Sequence, residues 1–424
     1  MFWLVASSLA ATLSVGPSGT YPTPCAAIAA AAAGDVIEVD AAGDYAGDSC
    51  AWSTDRLTVR GVNGQALMDG TGADMAQQKG IFVIQAPTAT IENMAFVGAS
   101  VPYNNGAGIR HQGADLFVTD CLFRDNQNGI LGAPSEAWKG GVYISRSEFD
   151  HNGAGDGYSH NLYLGNYEIV SMEGSYSHRG NVGHLFKSRA ATTWINASRF
   201  TDEEGGAASY EIDLPDAGSA WIVGSFVEQV STTQNNAMIA YGEESLNAGE
   251  TDLHIVNSTL LNHHDRGTFI SPGTAVTTPV AVTNTLFVGP GEPSAQSFTT
   301  FITSWTHEDG NPSLVDVSGM DVHLDSDSPC IDAGSDPAEG APTAEFVSPV
   351  GTIPRIKMGD AWDIGAYEFG NTGVAAEPED TAGEPPVEEE SECECATGAS
   401  PGWSFVAAIA VLAIRRLPTP PRRG

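Results

Sequence analysis

A short motif ending in a large apolar residue returns along this chain at a nearly constant interval. It reads Ile91–Phe96 (IENMAF), Val118–Phe123 (VTDCLF), Ile144–Phe149 (ISRSEF), then Tyr176 within EGSYSH. It continues as Ile195–Phe200 (INASRF), Ile222–Val227 (IVGSFV), Ile255–Leu260 (IVNSTL) and Val282–Phe287 (VTNTLF). The anchors at 96, 123, 149, 176, 200, 227, 260 and 287 step by 27, 26, 27, 24, 27, 33 and 27 residues. An interval in the twenties, with short β-rich runs, marks a solenoid. Asn, Gly and Asp between the runs supply turns. The repeats lack the frame of a leucine-rich repeat and the Trp-Asp of a propeller blade. A coil of three short strands and three turns fits the interval, so the fold expected is all-β, a right-handed parallel β-helix. With coils about 4.8 Å apart, eight repeats make a rod of roughly 40 Å.

The open end of such a rod needs a cover. Thr23 suits a helix N-cap, Pro24 the first turn, and Gly34 the stop, so a short capping helix is expected over Thr23–Ala33. Cys25 and Cys50 flank this unit and are expected to pair, which an oxidising compartment allows.

The ends read as addresses. Residues 1–11 belong to a short apolar, signal-like segment, although no Lys or Arg precedes the apolar run. The helix domain is expected over 12–369, and an acidic, Pro-bearing linker over 370–392. Residues 393–424 carry Cys393, Cys395, an apolar run from Trp403 to Ile414, and terminal arginines. That order resembles the myxobacterial-type C-terminal sorting tag; an ordinary membrane anchor is the alternative. Export to the cell surface or medium is expected, with membrane contact only through this segment. With Lys+Arg 18 against Asp+Glu 53, the net charge of −35 repels phosphate backbones and disfavours nucleic-acid partners. A monomer is expected.

The opening SVGPSGTYPTPCAAIAAAAAGDVIEV, the runs GAGIR (Gly106 to Arg110) and NQNGIL (Asn126 to Leu131), and the closing SPCIDAG (Ser328 to Gly334) and DIGAYEF (Asp363 to Phe369) are specific. They resemble bacterial proteins of the pectate-lyase-like β-helix superfamily. The resemblance implies the fold over about Leu13 to Phe369. Since that superfamily holds lyases, hydrolases, epimerases and inert surface proteins, it does not name an activity.

Chemistry is expected on the third strand of successive coils. If Leu162, Leu164, Phe186, Tyr210 and Ile212 face inward, alternation puts Asn161, Tyr163, Leu185, Lys187, Glu211 and Asp213 outward. Lys187 is one of four lysines, and Arg189 follows it. Uronate β-elimination needs a base, a cation on the carboxylate and an acid for the leaving oxygen. Lys187, Arg189, Tyr163 and His160 are the catalytic candidates, with Asn161 and His178 as substrate-binding residues. Glu211 and Asp213, two apart on one strand, offer hard oxygen ligands for Ca²⁺. In residue types the patch resembles calcium-dependent chondroitinase B and alginate lyases, with the order of lysine and acids reversed. His184 is expected in the core, Arg110 on a more distant solvated face, and Asp202-Glu203-Glu204 in a solvated turn. The partner implied is an acidic polysaccharide. A non-catalytic glycan-binding rod is the competing reading, and glycoside hydrolysis by paired carboxylates stays open.

Overall fold

The computed structural model describes residues 10–135, 139–203 and 205–374. The signal-like segment up to residue 9, the linker beyond residue 374, and the sorting segment with Cys393 and Cys395 lie outside the described residues.

Three parallel sheets of twelve, nine and ten strands form the faces of a right-handed β-helix of about ten coils. One coil runs Gly141–Ser145 in the first sheet, Glu148–Asp150 in the second and Leu162–Leu164 in the third. The next coil repeats this as Ile169–Glu173, Tyr176–His178 and Phe186–Ser188, and the next as Thr192–Asn196, Arg199–Thr201 and Ile212–Leu214.

The predicted anchors fill the interior. Phe96, Phe123, Phe149, Phe200 and Phe287 are all at most 1% exposed. Phe96, Phe123 and Phe149 stack with centroids 5.2 and 4.8 Å apart, since parallel in-register strands set like residues one above another. Each such pair adds about 0.5–1.5 kcal/mol to what its buried area contributes. One anchor is corrected. Ser177, not Tyr176, stands in register with Phe149 and Phe200. Its small side chain leaves room for Phe186, which crosses from the third sheet to meet Phe200 edge-on at 5.9 Å.

Between first and second sheets the chain turns on two residues, the first left-handed, the second usually serine. The left-handed positions include Arg146, Gly174, Ala197, Gly224 and Asn257. Ser147, Ser175, Ser198, Ser225 and Ser258 follow them, and each hydroxyl accepts the amide of the equivalent residue one coil earlier, at 3.0–3.3 Å. The opposite corner carries asparagines. Asn126 passes its amide hydrogens to Asn152, and Asn152 to Asn161. These ladders satisfy backbone groups that the tight corners would otherwise leave buried and unpaired.

The N-terminal cap is a helix over Pro24–Ala30, with Thr23 Oγ1 accepting the Ala26 amide at 3.3 Å. It is shorter than predicted, because Ala31 already takes an extended conformation, and Gly34 serves the following turn at φ +90°. Cys25 and Cys50 are bonded, with Cα atoms 5.7 Å apart. The coils end at Thr300–Ile302, before the boundary expected from sequence. The segment after them folds back over the second sheet, where Val322, Ala366 and Tyr367 pack on Phe226 and Leu261.

Candidate active site

The site grows from one outward column of the third sheet. Register aligns Arg110, Leu131, Tyr163, Lys187 and Asp213 on five successive strands. Alternation turns their side chains away from the interior, which Ile109, Ile130, Leu162, Phe186 and Ile212 fill. Arg110 thus joins the same column as Lys187, about 14 Å away at three strand spacings. The expectation of a separate solvated face for it is corrected.

Beside this column lies a cleft of about 440 Å³, lined by Arg110, Lys139 and Arg189 together with Leu131, Tyr158 and Tyr163. Arg189 reaches into it from the turn after Phe186–Ser188. Its Nε donates to the Tyr163 hydroxyl at 3.0 Å, and its two terminal nitrogens reach Asp216 at 2.7 Å and Glu244 at 2.5 Å. Because Arg189 donates to the Tyr163 oxygen, that oxygen's own proton is free to point elsewhere. Lys187 Nζ lies 2.6 Å from Asp213 and 3.3 Å from Glu244, and 5.8 Å from the Tyr163 ring centroid.

Behind these groups sit two histidines. His160 Nδ1 accepts the His184 amide at 2.9 Å, and the two rings stack at 4.5 Å. His184 Nδ1 accepts the Tyr210 amide, so its Nε2 carries hydrogen and faces Asp213 at 3.3 Å. Burial holds His160 at a pKa of about 3 and His184 at about 2, so both are neutral imidazoles at physiological pH. His160 is 3% exposed and meets the Tyr163 ring edge-on at 5.6 Å. It is a wall beneath the phenol. Burial raises Asp213 to about 6 against the pull of Lys187.

Three residues predicted to face outward, Asn161, Leu185 and Glu211, are buried instead, Leu185 among the core side chains. Asn161 is fully buried, and its Nδ2 donates to the Phe149 and His178 carbonyls and the Ser177 hydroxyl. Glu211 is also fully buried, and neither carboxylate oxygen has a hydrogen-bond partner among the described residues. These positions precede their strands, at the corner where the backbone bends, so the two-residue alternation does not reach them. Glu211 and Asp213 therefore do not aim at one point, and the Ca²⁺ site expected from them is corrected. Burial, with the charges of Asp202 and Glu228 nearby, raises Glu211 well above the ordinary carboxylate range. Asp202, expected in solvent, is fully buried, and Glu203 is held by Tyr176 and His178.

His178 lies on the second sheet, apart from the cleft. It joins Glu148 and Asp150, and the three offer ligand atoms within 4.8 Å of one another. Asp150, however, already takes Arg124 and Arg179, each at 2.7 Å. An imidazole nitrogen and a carboxylate neutralised by two guanidiniums do not suit Ca²⁺, which prefers an all-oxygen, strongly anionic cage.

The residues that sequence reasoning missed are Arg110, Lys139, Asp216 and Glu244. Aligning the third-strand runs GIR, GIL, LYL, FKS and IDL would have found Arg110. Glu244 and Asp216 sit in loops after their strands, where no periodicity applies.

No protein-family model matches the sequence, and none of the curated proteins compared matches it. Among solved structures, the fold is similar to the crystal structure of pectate lyase Pel9A, with 15% identity and a TM-score of 0.58. The alignment covers 85% of this chain and 97% of that one. The chain therefore has the pectate-lyase-like right-handed parallel β-helix fold.

Proposed function

We propose that this protein is an exported β-helix protein that acts on an acidic polysaccharide through the third-sheet cleft, with β-elimination as its reaction. One observation carries the reading. In a chain with 18 Lys+Arg and a net charge of −35, four cations gather along one cleft and its adjoining column: Arg110, Lys139, Lys187 and Arg189. The overall negative charge repels a polyanion at long range, so a local strip of cations is where one could be held. In this reading Arg189 and Lys187 bind the uronate carboxylate, and Arg189 neutralises it as a carbanion-like state forms at the α-carbon. Tyr163 passes its free phenol proton to the leaving glycosidic oxygen. For the α-proton, Lys187 first passes its ammonium proton to Asp213, 2.6 Å away, and the neutral amine then takes the α-proton while Arg189 holds the carboxylate.

A second reading is favoured by the 2.6 Å ion pair between Lys187 and Asp213. A lysine held this way serves as a fixed cation, which suits a non-catalytic glycan-binding rod. Incubation with a panel of uronic-acid polymers, followed by ultraviolet detection of unsaturated product, separates the two. A lyase gives product that is lost in both Lys187→Ala and Lys187→Arg, because arginine keeps the charge and cannot act as a base. Absence of product from every polymer, with binding retained, leaves the rod.

A further inference from the structure

Two cations and three carboxylates form a closed cluster beside the cleft. Asp213 and Asp216 hold Lys187 and Arg189 from below and are nearly buried, with side chains 5% and 11% exposed. Glu244 is different. Its side chain is 53% exposed, yet it touches both cations, with Oε1 3.3 Å from Lys187 Nζ and Oε2 2.5 Å from Arg189. One carboxylate spanning an ammonium and a guanidinium is the contact a sugar carboxylate would make there.

The charges sharpen this. Lys187 and Arg189 with Asp213 and Asp216 sum to zero; adding Glu244 makes the cluster −1. A second carboxylate cannot enter favourably while Glu244 stays. Departure is feasible. Glu244 is anchored through its backbone, where its amide and that of Ser245 both donate to the Pro215 carbonyl at 3.0 Å. Its side chain can swing out to water without disturbing that anchor.

We infer that Glu244 is a built-in stand-in for the substrate's carboxylate, so that the space between Lys187 and Arg189 is a uronate subsite that a ligand enters by displacing Glu244. The inference rests on the proposed acidic-polysaccharide reading and adds to it the subsite and its internal competitor. Apparent affinity is then reduced by the fraction of time Glu244 occupies the subsite.

Calorimetric titration of the wild-type protein, Glu244→Gln and Glu244→Ala with oligomers of galacturonate, glucuronate and mannuronate tests it, with a neutral cello-oligosaccharide as control. Glu244→Ala is expected to bind at least one uronate oligomer about tenfold more tightly, as expected if the subsite is open roughly a tenth of the time. Glu244→Gln, which keeps the shape without the charge, should fall between the two. A purely structural Glu244 would give no gain. Unchanged or weaker binding by Glu244→Ala, with wild-type binding intact, overturns the inference and spares the wider reading. Failure of all three proteins to bind any uronate oligomer overturns both.

Discussion

Two acid-rich regions lie within one coil of each other and are built on opposite terms. On the outer face of the third sheet, Asp213 is nearly buried but has Lys187 at 2.6 Å and His184 at 3.3 Å. At the corner two residues earlier, Glu211 is wholly buried with no partner on either oxygen among the described residues, near the charges of Asp202 and Glu228. Burial raises Asp202 to about 6 and Glu228 to about 7. The outer carboxylate is kept where it can hold a cation in place. Glu211 keeps its proton instead, which is how a group escapes the cost of a buried, unpaired charge. An acid near the cleft is therefore identified by its partner, not by the sequence spacing that joins it to the next acid.

The largest effect expected from this contrast is on the outer pair. Lys187→Ala strips Asp213 of its cation in a site where both side chains are under a tenth exposed. A loss of about 3–5 kcal/mol is expected, far above that of a surface pair. Urea unfolding at neutral pH measures it, and a loss under about 1 kcal/mol would show that the pair is effectively solvated.

The inner corner should respond with the opposite sign. Between the ordinary glutamate value of 4.5 and its raised folded value, Glu211 keeps a proton that the unfolded chain has given up. The folded state binds more protons in that window, so stability falls as pH rises through it. Glu211→Gln removes the titration. It is expected to stabilise the fold by about 1–3 kcal/mol at neutral pH and to have little effect near pH 4. Denaturant titrations of both proteins at the two pH values decide this; equal destabilisation by Glu211→Gln at both would mean that an unseen donor holds the carboxylate.

The same contrast explains what the sequence made legible. The coil interval came from Phe96, Phe123 and Phe149, because in-register stacking imposes like residues on like positions. Within a strand, alternation correctly set Tyr163, Lys187 and Asp213 on one face. It failed one residue before the strand, at Asn161 and Glu211, where the chain turns and the side chain follows the corner inward. Tyr176 departs for a related reason: its ring keeps the interval, but Ser177 occupies the anchor position in register with Phe149. The loop residues Asp216 and Glu244 carry no periodic signal at all. They became visible only when the fold brought them to Arg189.

If the third-sheet strip is where an acidic glycan is held, Arg110 contributes to binding it. Affinity of uronate oligomers for the wild-type protein and for Arg110→Ala, measured at low and moderate salt, tests it most directly. Arg110 lines the cleft three strands from Lys187 and pairs with Asn105 at 3.3 Å, without an acidic partner among the described residues. Arg110→Ala is expected to weaken binding about tenfold at low salt, with the difference shrinking as salt rises and neutral oligomers binding neither protein. Equal affinity of both proteins for the uronate oligomers, with the same salt dependence, would contradict it.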